Sequence, residues 1–331
     1  MNRLKDQQVL VLGLGESGLA MARWCAAHGA RVQVWDSRET PPQAAALHEA
    51  LPEARLSTGA LDASALDGVQ RVLKSPGLAP ADERIAPLLA AARAAGILVQ
   101  GELALFCEAL ADLKAERGYA PKLLAVTGTN GKTTTTALTA RLVESAGKRV
   151  VAAGNIGPTL LDTLAQTLDA AAAEEPAPLP EVWVMELSSF QLDGIEGFEP
   201  DAATVLNLSQ DHLDWHGSLA AYAEAKSRIF GHKALMVVNR DDAQVRAMVP
   251  QPPAADTPRK AKAPKFQPRQ VCEFGLGAPM RPGDFGLVEH HGIAWLVRAL
   301  PLDEGLKPRK GEAPEIHLQQ LMPADALRIR G

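Results

Sequence analysis

Apolar residues fall along this chain in short runs separated by Ala-rich stretches. Gln8–Leu12 (QVLVL) is short and β-branched, which predicts a buried strand. A glycine-rich turn follows. Leu19–His28 then reads as a helix that Gly29 is placed to end. Arg31–Trp35 (RVQVW) predicts the next strand, closing on Asp36. Further strands are predicted at Arg71–Lys74 and Ile97–Val99, with helices between. Strand–helix–strand alternation of this kind predicts a parallel sheet. Arg117–Lys122 (RGYAPK) is Gly/Pro punctuation and a candidate domain boundary.

A second alternation starts at Leu123. Strands are predicted at Leu123–Thr127, Arg149–Ala153, Val182–Leu187, Ala202–Asn207 and Ala234–Asn239, with helices between. Glu174–Pro180 (EEPAPLP) reads as a surface loop. Pro250–Gln270 is rich in Pro, Lys and Ala and reads as a flexible insertion. Short strands resume at Val271–Phe274, Phe285–Glu289, Ala294–Val297 and Ile316–Gln319. The expected fold class is α/β. A Rossmann-like parallel-sheet domain over 1–117 is followed by a P-loop-type α/β domain over 122–331.

Composition narrows the class. The chain has 331 residues, 47% hydrophobic and 22% charged, as soluble globular proteins are. A net charge of -5 argues against a general nucleic-acid surface. Cys25, Cys107 and Cys272 are far apart and form no CxxC pair, which argues against a disulfide framework or a zinc site. No apolar run reaches ~18 residues, so no membrane span is expected. The N-terminus has no apolar signal core ahead of its first strand. A cytoplasmic location is the expectation.

Two glycine loops carry the candidate chemistry. Gly13, Gly15 and Gly18 after a strand, with Asp36 further on, satisfy the dinucleotide fingerprint. Glycines let backbone N–H groups approach a pyrophosphate at a helix N-terminus. NAD, FAD and a UDP-sugar all remain open for this loop. The second loop lies between a strand and a helix, in the stretch LAVTGTNGKTTTTALTA. It reads G-x-x-G-K-T, from Gly128 to Thr133, with Val126 where a Walker A loop has its first glycine. Lys132 would reach the β- and γ-phosphates of ATP, and the Thr133 hydroxyl would ligate Mg²⁺. The threonines Thr133–Thr136 are poor helix formers, so helix propensity does not explain them. An ordinary dehydrogenase has no use for this loop, which weakens the NAD reading of the first.

The phrase GTNGKT resembles the ATP-binding loop of the Mur ligases, with folylpolyglutamate synthase as a relative. Other motifs resemble the branch of that family that joins D-glutamate to UDP-N-acetylmuramoyl-L-alanine. They are ELSSFQL (186–192), GNIG (154–157), DHLDWHGS (211–218), AKSRIF (225–230) and VVNRDD (237–242). The N-terminal phrases GLGESGLA, WDSR and KSPGL also fit. The resemblance is good over Val9–Asp242 and weak over Pro250–Leu321.

That resemblance implies a ligase of peptidoglycan precursor synthesis, and hence of cell wall biogenesis, cell shape and cell division. ATP phosphorylates the L-alanine carboxylate, and the D-glutamate amine displaces the phosphate. Gly128, Thr129, Asn130, Gly131, Lys132, Thr133 and Thr134 would hold ATP. Thr133, Glu186, His212 and Lys226 would serve two Mg²⁺ sites. Lys132, His212 and Lys226 would be catalytic, with Lys226 a carbamate formed with CO₂. Gly15, Glu16, Ser17, Asp36, Ser37, Arg38, Ser75, Gly77, Asn155 and Ser188 would contact the UDP substrate. Asp36 is thereby reassigned from an NAD ribose to a UDP nucleoside. One loop holds the UDP handle and the other delivers ATP to the far end. His216 matches no role and reads as a loop residue.

By residue type alone, Lys226 reads as a solvent-facing helix lysine, and Ser188 and Ser189 as helix caps. In the family, the final phrase MPADALRIRG leads on to the rest of the ATP domain and a third, amino-acid-binding domain. The expectation is therefore a fragment with a UDP-substrate site, weak ATP binding and no ligation alone. A monomer without nucleic-acid or membrane partners is expected. Competing readings are an NAD-dependent oxidoreductase, a non-catalytic UDP-sugar-binding module, and a sister ligase for another amino acid.

Overall fold

The computed structural model describes residues 2–175, 177–252, 267–303 and 315–327. The first sheet contains β1 (Gln8–Leu12), β2 (Arg31–Asp36), β3 (Arg55–Thr58), β4 (Arg71–Lys74) and β5 (Leu98–Gln100). All its neighbours are parallel, in the order β3-β2-β1-β4-β5. Helices α1 (Glu16–Ala27), α2 (Ala44–Ala50), α3 (Ala86–Ala94) and α4 (Glu102–Arg117) connect and flank these strands. The chain moves outward from β1 on one side, then restarts at β4 on the other. That reversal opens a crevice beyond the carboxyl ends of β1 and β4.

The second sheet contains β6 (Lys122–Thr127), β7 (Val150–Gly154), β8 (Val182–Glu186), β9 (Ala202–Val205), β10 (Leu235–Asn239) and β11 (Val271–Phe274). It is also parallel, in the order β11-β10-β9-β6-β8-β7. Its helices are α5 (Lys132–Ser145), α6 (Leu160–Ala172), α7 (Ser189–Leu192), α8 (Leu213–His216), α9 (Leu219–Ser227) and α10 (Ala243–Ala247). Here β6 lies between β8 and β9, so the loop after β6 sits at a second crevice. A small antiparallel sheet, β12 (Phe285–His290), β13 (Ile293–Pro301) and β14 (Ile316–Pro323), follows.

One hydrophobic core runs through both parallel sheets, from Val9 and Val11 to Trp183, Met185 and Val205. Helix α4 joins the halves. Its Phe106 ring packs edge-on against Trp183 of β8, with centroids 4.9 Å apart at 62°. Trp183 Nε1 donates to the Tyr119 hydroxyl at 2.9 Å, and that hydroxyl donates to the Pro180 carbonyl at 2.9 Å. Gly118 ends α4 in the left-handed conformation (φ 70°), a position that favours glycine.

The predicted strands lie within a few residues of their expected places, and the elements differ from expectation in three respects. Strand β3 (RLST) was not anticipated: it carries one apolar residue and is largely exposed. Helix α1 starts at Glu16 rather than Leu19, because Gly15 is extended (φ -93°, ψ -165°) and already serves as its N-cap. Strand β13 also runs longer than Ala294–Val297. In Glu174–Pro180 the described residues form no helix or strand, and Pro176 lies outside them. Most of the expected insertion, 253–266, and the last residues, 328–331, also lie outside the described residues. No helix among the described residues is long and apolar enough to cross a membrane.

Candidate active site

Three loops meet at the carboxyl edge of the first sheet and are bonded to one another. The Gly13 amide donates to Trp35 O at 2.7 Å, and the Ser75 amide to Leu12 O at 2.9 Å. The Ser75 hydroxyl donates to Gly13 O at 2.8 Å. A Cβ on Gly18 would sit 2.0 Å from Gly13 O, so only glycine lets α1 approach the strand this closely. Asp36 is 2% exposed. Its Oδ2 accepts the Leu14 amide at 2.7 Å and Arg38 Nη2 at 2.7 Å. Its Oδ1 accepts the Arg38 amide and Nε at 2.9 and 2.8 Å. These bonds, the Arg38 side chain foremost, hold the carboxyl down at about 2.

Asp36 therefore braces the glycine loop. In a dinucleotide site this carboxylate accepts ribose hydroxyls, and here both its oxygens already have donors. Gly15 and Gly77 are open: nothing lies within 4 Å of a Cβ added to either. Glu16 is exposed, and Ser17 half-buried. The Ser37 hydroxyl accepts Arg84 Nη1 at 2.9 Å.

The second loop is bonded to the segment after β9. The Thr129 amide donates to Asn207 O at 3.0 Å. The Asn207 side chain accepts the Asn130 amide at 2.9 Å and donates to Asn130 O at 3.1 Å. The Thr129 hydroxyl accepts the Ser209 amide at 3.0 Å. Asn207, which the motifs passed over, thus continues the β6–β9 pairing into the loop by an amide side chain. Gly131 is left-handed (φ 81°) and serves as the N-cap of α5, so the helix N-terminus opens toward the loop. Thr133 and Thr134 are exposed on its first turn.

Two lysines converge on this loop. Lys132 Nζ donates to Gly128 O at 3.1 Å and Thr129 O at 2.9 Å. Lys226 Nζ donates to the same Gly128 O at 2.9 Å and to the Thr127 hydroxyl at 3.2 Å. Lys226 is not the solvent-facing residue its helix position suggested: it is 2% exposed. Burial, with a smaller contribution from the Lys132 charge, pulls its amine down to about 7. The Tyr222 ring lies 4.7 Å from its Nζ.

Glu186 ends β8 and is 3% exposed. Its carboxylate accepts Asn155 Nδ2 at 3.1 Å, and its carbonyl accepts the Asn155 amide at 2.8 Å. Ser188, expected at the substrate, forms a capping box on α7 with Gln191, so its hydroxyl has a structural partner. His212 is left-handed (φ 49°), a strained setting for a non-glycine residue. Its ring lies 4.8 Å from Phe190, and Nε2 is 3.4 Å from Asp211. His216 is no loop residue: it ends α8, pairs with the Ser189 hydroxyl at 2.9 Å and packs on Trp215 and Tyr222. Burial lowers its pKa. Among the described residues, no three His, Cys, Asp or Glu side chains form a metal-holding group. A cation here would draw on Glu186, the Thr133 hydroxyl and ligand oxygens. Lys74 opens the phrase KSPGL but was assigned no role. It is bonded to Leu78 O at 2.7 Å, and burial lowers it to about 8.

Residues 126–270 match the Mur ligase middle domain, and residues 7–101 match the Mur ligase MurD-like N-terminal domain. The chain belongs to the Mur ligase family. It is 60% identical to the UDP-N-acetylmuramoylalanine–D-glutamate ligase of Albidiferax ferrireducens, over 100% of this chain and 63% of that protein. It is 55% identical to the ligase of the same name from Burkholderia pseudomallei, over 98% of this chain and 62% of that one. The chain thus spans under two thirds of the length of these curated relatives. A murein peptide ligase from Psychrobacter arcticus aligns at TM-score 0.45 and 16% identity, over 90% of this chain and 59% of that one.

Proposed function

We propose that this chain carries the sugar-nucleotide and ATP sites of a ligase that joins D-glutamate to UDP-N-acetylmuramoyl-L-alanine. The observation that carries the reading is the convergence of Lys132 and Lys226 on the Gly128 carbonyl, at the open end of a helix. The Lys132 ammonium there matches a triphosphate, and Lys226 reaches the same carbonyl from α9. The first crevice supports the UDP end, through the open space at Gly15 and Gly77 and the Arg38 loop beside them. The division into a UDP-substrate unit over 1–117 and an ATP unit over 122–331 is part of the same proposal.

Glu186 fits Mg²⁺. Its buried carboxylate is held by one neutral amide, with no ion pair to it among the described residues, and a buried carboxylate needs a compensating cation. Thr133 and Glu186 would hold the ion, and His212 stands by in the adjoining loop. When bound, Mg²⁺ supplies charge neutralisation between the substrate carboxylate and the triphosphate. The chain's own residues do the rest. Lys132 and the loop amides orient the phosphates, and Asn155 orients the Glu186 carboxylate. The fixed loop holds its donors in place before the reaction begins.

Lys226 has a distinct part. Its low pKa leaves much of the amine neutral near pH 7. A neutral Nζ attacks the carbon of CO₂, forms an N–C bond and sheds one proton. The resulting carbamate is an anionic oxygen donor, suited to a second Mg²⁺, which an ammonium cannot be. The test is ¹³C NMR of wild type and Lys226→Ala under ¹³C-labelled CO₂ with Mg²⁺. Wild type is expected to show a protein carbamate resonance that the variant lacks. A folded wild type without that resonance, or a variant that keeps it, would sink the role.

A further inference from the structure

Glu102 opens α4, yet it serves other elements. It is 2% exposed, and its Oε1 accepts the Leu161 amide at 3.1 Å. Leu161 is the second residue of α6, which starts just beyond the Asn155 loop. Thr159 caps α6 through the Asp162 amide, so the amides of the first turn need another acceptor. Glu102 supplies it from the first half of the chain, where a carboxylate also suits the helix dipole. Its other oxygen, Oε2, is buried without a hydrogen-bond partner. Burial raises its pKa, against the lowering effects of Leu161, the Ser17 hydroxyl and Leu160. Ser17 belongs to the first turn of α1, directly after the glycine loop.

Helices α1, α4 and α6 pack against one another, so this one carboxyl lies between the glycine-loop helix and the helix that follows Asn155. The two loops also face each other directly: Glu16 Oε2 is 3.8 Å from a Cβ position on Gly157. We propose that Glu102 is a positioning residue that fixes the spacing between the glycine loop and the Asn155 loop. That spacing makes the chain select a UDP-sugar whose acyl arm reaches the second sheet over bare UDP. The inference rests on the sugar-nucleotide reading above. It concerns the gap between the loops, whereas the earlier reading concerns what each loop holds.

The test compares calorimetric titrations of UDP and of UDP-N-acetylmuramoyl-L-alanine into wild type, Glu102→Gln, Glu102→Asp and Glu102→Leu. Glu102→Gln keeps an acceptor of the same length and is expected to keep the wild-type preference. Glu102→Leu removes the acceptor and is expected to weaken binding of the long ligand about tenfold, with UDP affected less than about twofold. Glu102→Asp keeps the carboxyl but is one methylene shorter. It is expected to lose preference too, which covers a Leu variant that fails to fold. Equal weakening of both ligands, or an unchanged preference in folded Asp and Leu variants, would overturn the positioning role. Wild type that binds neither ligand would instead overturn the sugar-nucleotide reading, and Glu102's role with it.

Discussion

Replacing Trp183 by alanine is expected to lower the unfolding free energy by about 3–5 kcal/mol. The indole is fully buried and stands between the two halves of the chain. Phe106 from α4 packs edge-on against it, and Tyr119 accepts its N–H. Truncation opens a cavity where α4 meets the second sheet and leaves the Phe106 ring without its partner. The Tyr119 hydroxyl keeps its bond to Pro180 O, so the loss is mainly one of packing. Urea unfolding followed by circular dichroism measures the change. Leu142→Ala, at a position 63% exposed, is the control; it is expected to stay within about 0.5 kcal/mol. A Trp183→Ala cost below about 1 kcal/mol would mean that α4 does not join the halves through this contact.

The second large effect is a pH dependence. Lys226 titrates at about 7 in the folded chain, against an ordinary value of 10.5. Between those values the unfolded chain holds a proton that the folded chain does not, so stability rises with pH. From pH 7 to pH 9 this one residue is expected to add about 2–3 kcal/mol. Lys74, lowered to about 8, adds a slope of the same sign above that pH. Cys25 and Cys107 are raised by burial to about 12, so they oppose the trend above their ordinary 9.0. The measurement therefore stops at pH 9. Urea midpoints at pH 7, 8 and 9, in CO₂-free and Mg²⁺-free buffer, should rise in wild type. In Lys226→Met the rise should shrink by the Lys226 share. Equal slopes in the two proteins would show that the amine stays charged in the fold.

Much of this architecture is legible in the sequence, for physical reasons that can be named. Strands buried on both faces, such as QVLVL and VWVME, appear as continuous apolar runs. The glycine loops are equally visible, because Gly18 answers a contact that no side chain tolerates. What stays hidden depends on partners distant in the chain. Helix α9 (LAAYAEAKS) has alanines spread around it, so nothing local marks which face is buried. Lys226 is buried because the loop after β6 lies against it. Glu102 looks like an ordinary first-turn acid, and only the approach of α6 gives it a second use. Asn207 reads as a strand-end residue, and its pairing with Asn130 depends on β6 and β9 being neighbours. Motif spacing proposed Asp36 as a ligand contact, whereas the folded chain spends both its oxygens on Leu14 and Arg38.

The most direct test of the central claim, that the first glycine loop holds a UDP-sugar rather than a nicotinamide cofactor, is a pair of calorimetric titrations into the wild-type chain. UDP-N-acetylmuramoyl-L-alanine is expected to bind saturably at one site per chain, and NADH is expected to give no saturable heat. Tight NADH binding without binding of the UDP-sugar would contradict the account and return the first loop to an oxidoreductase reading.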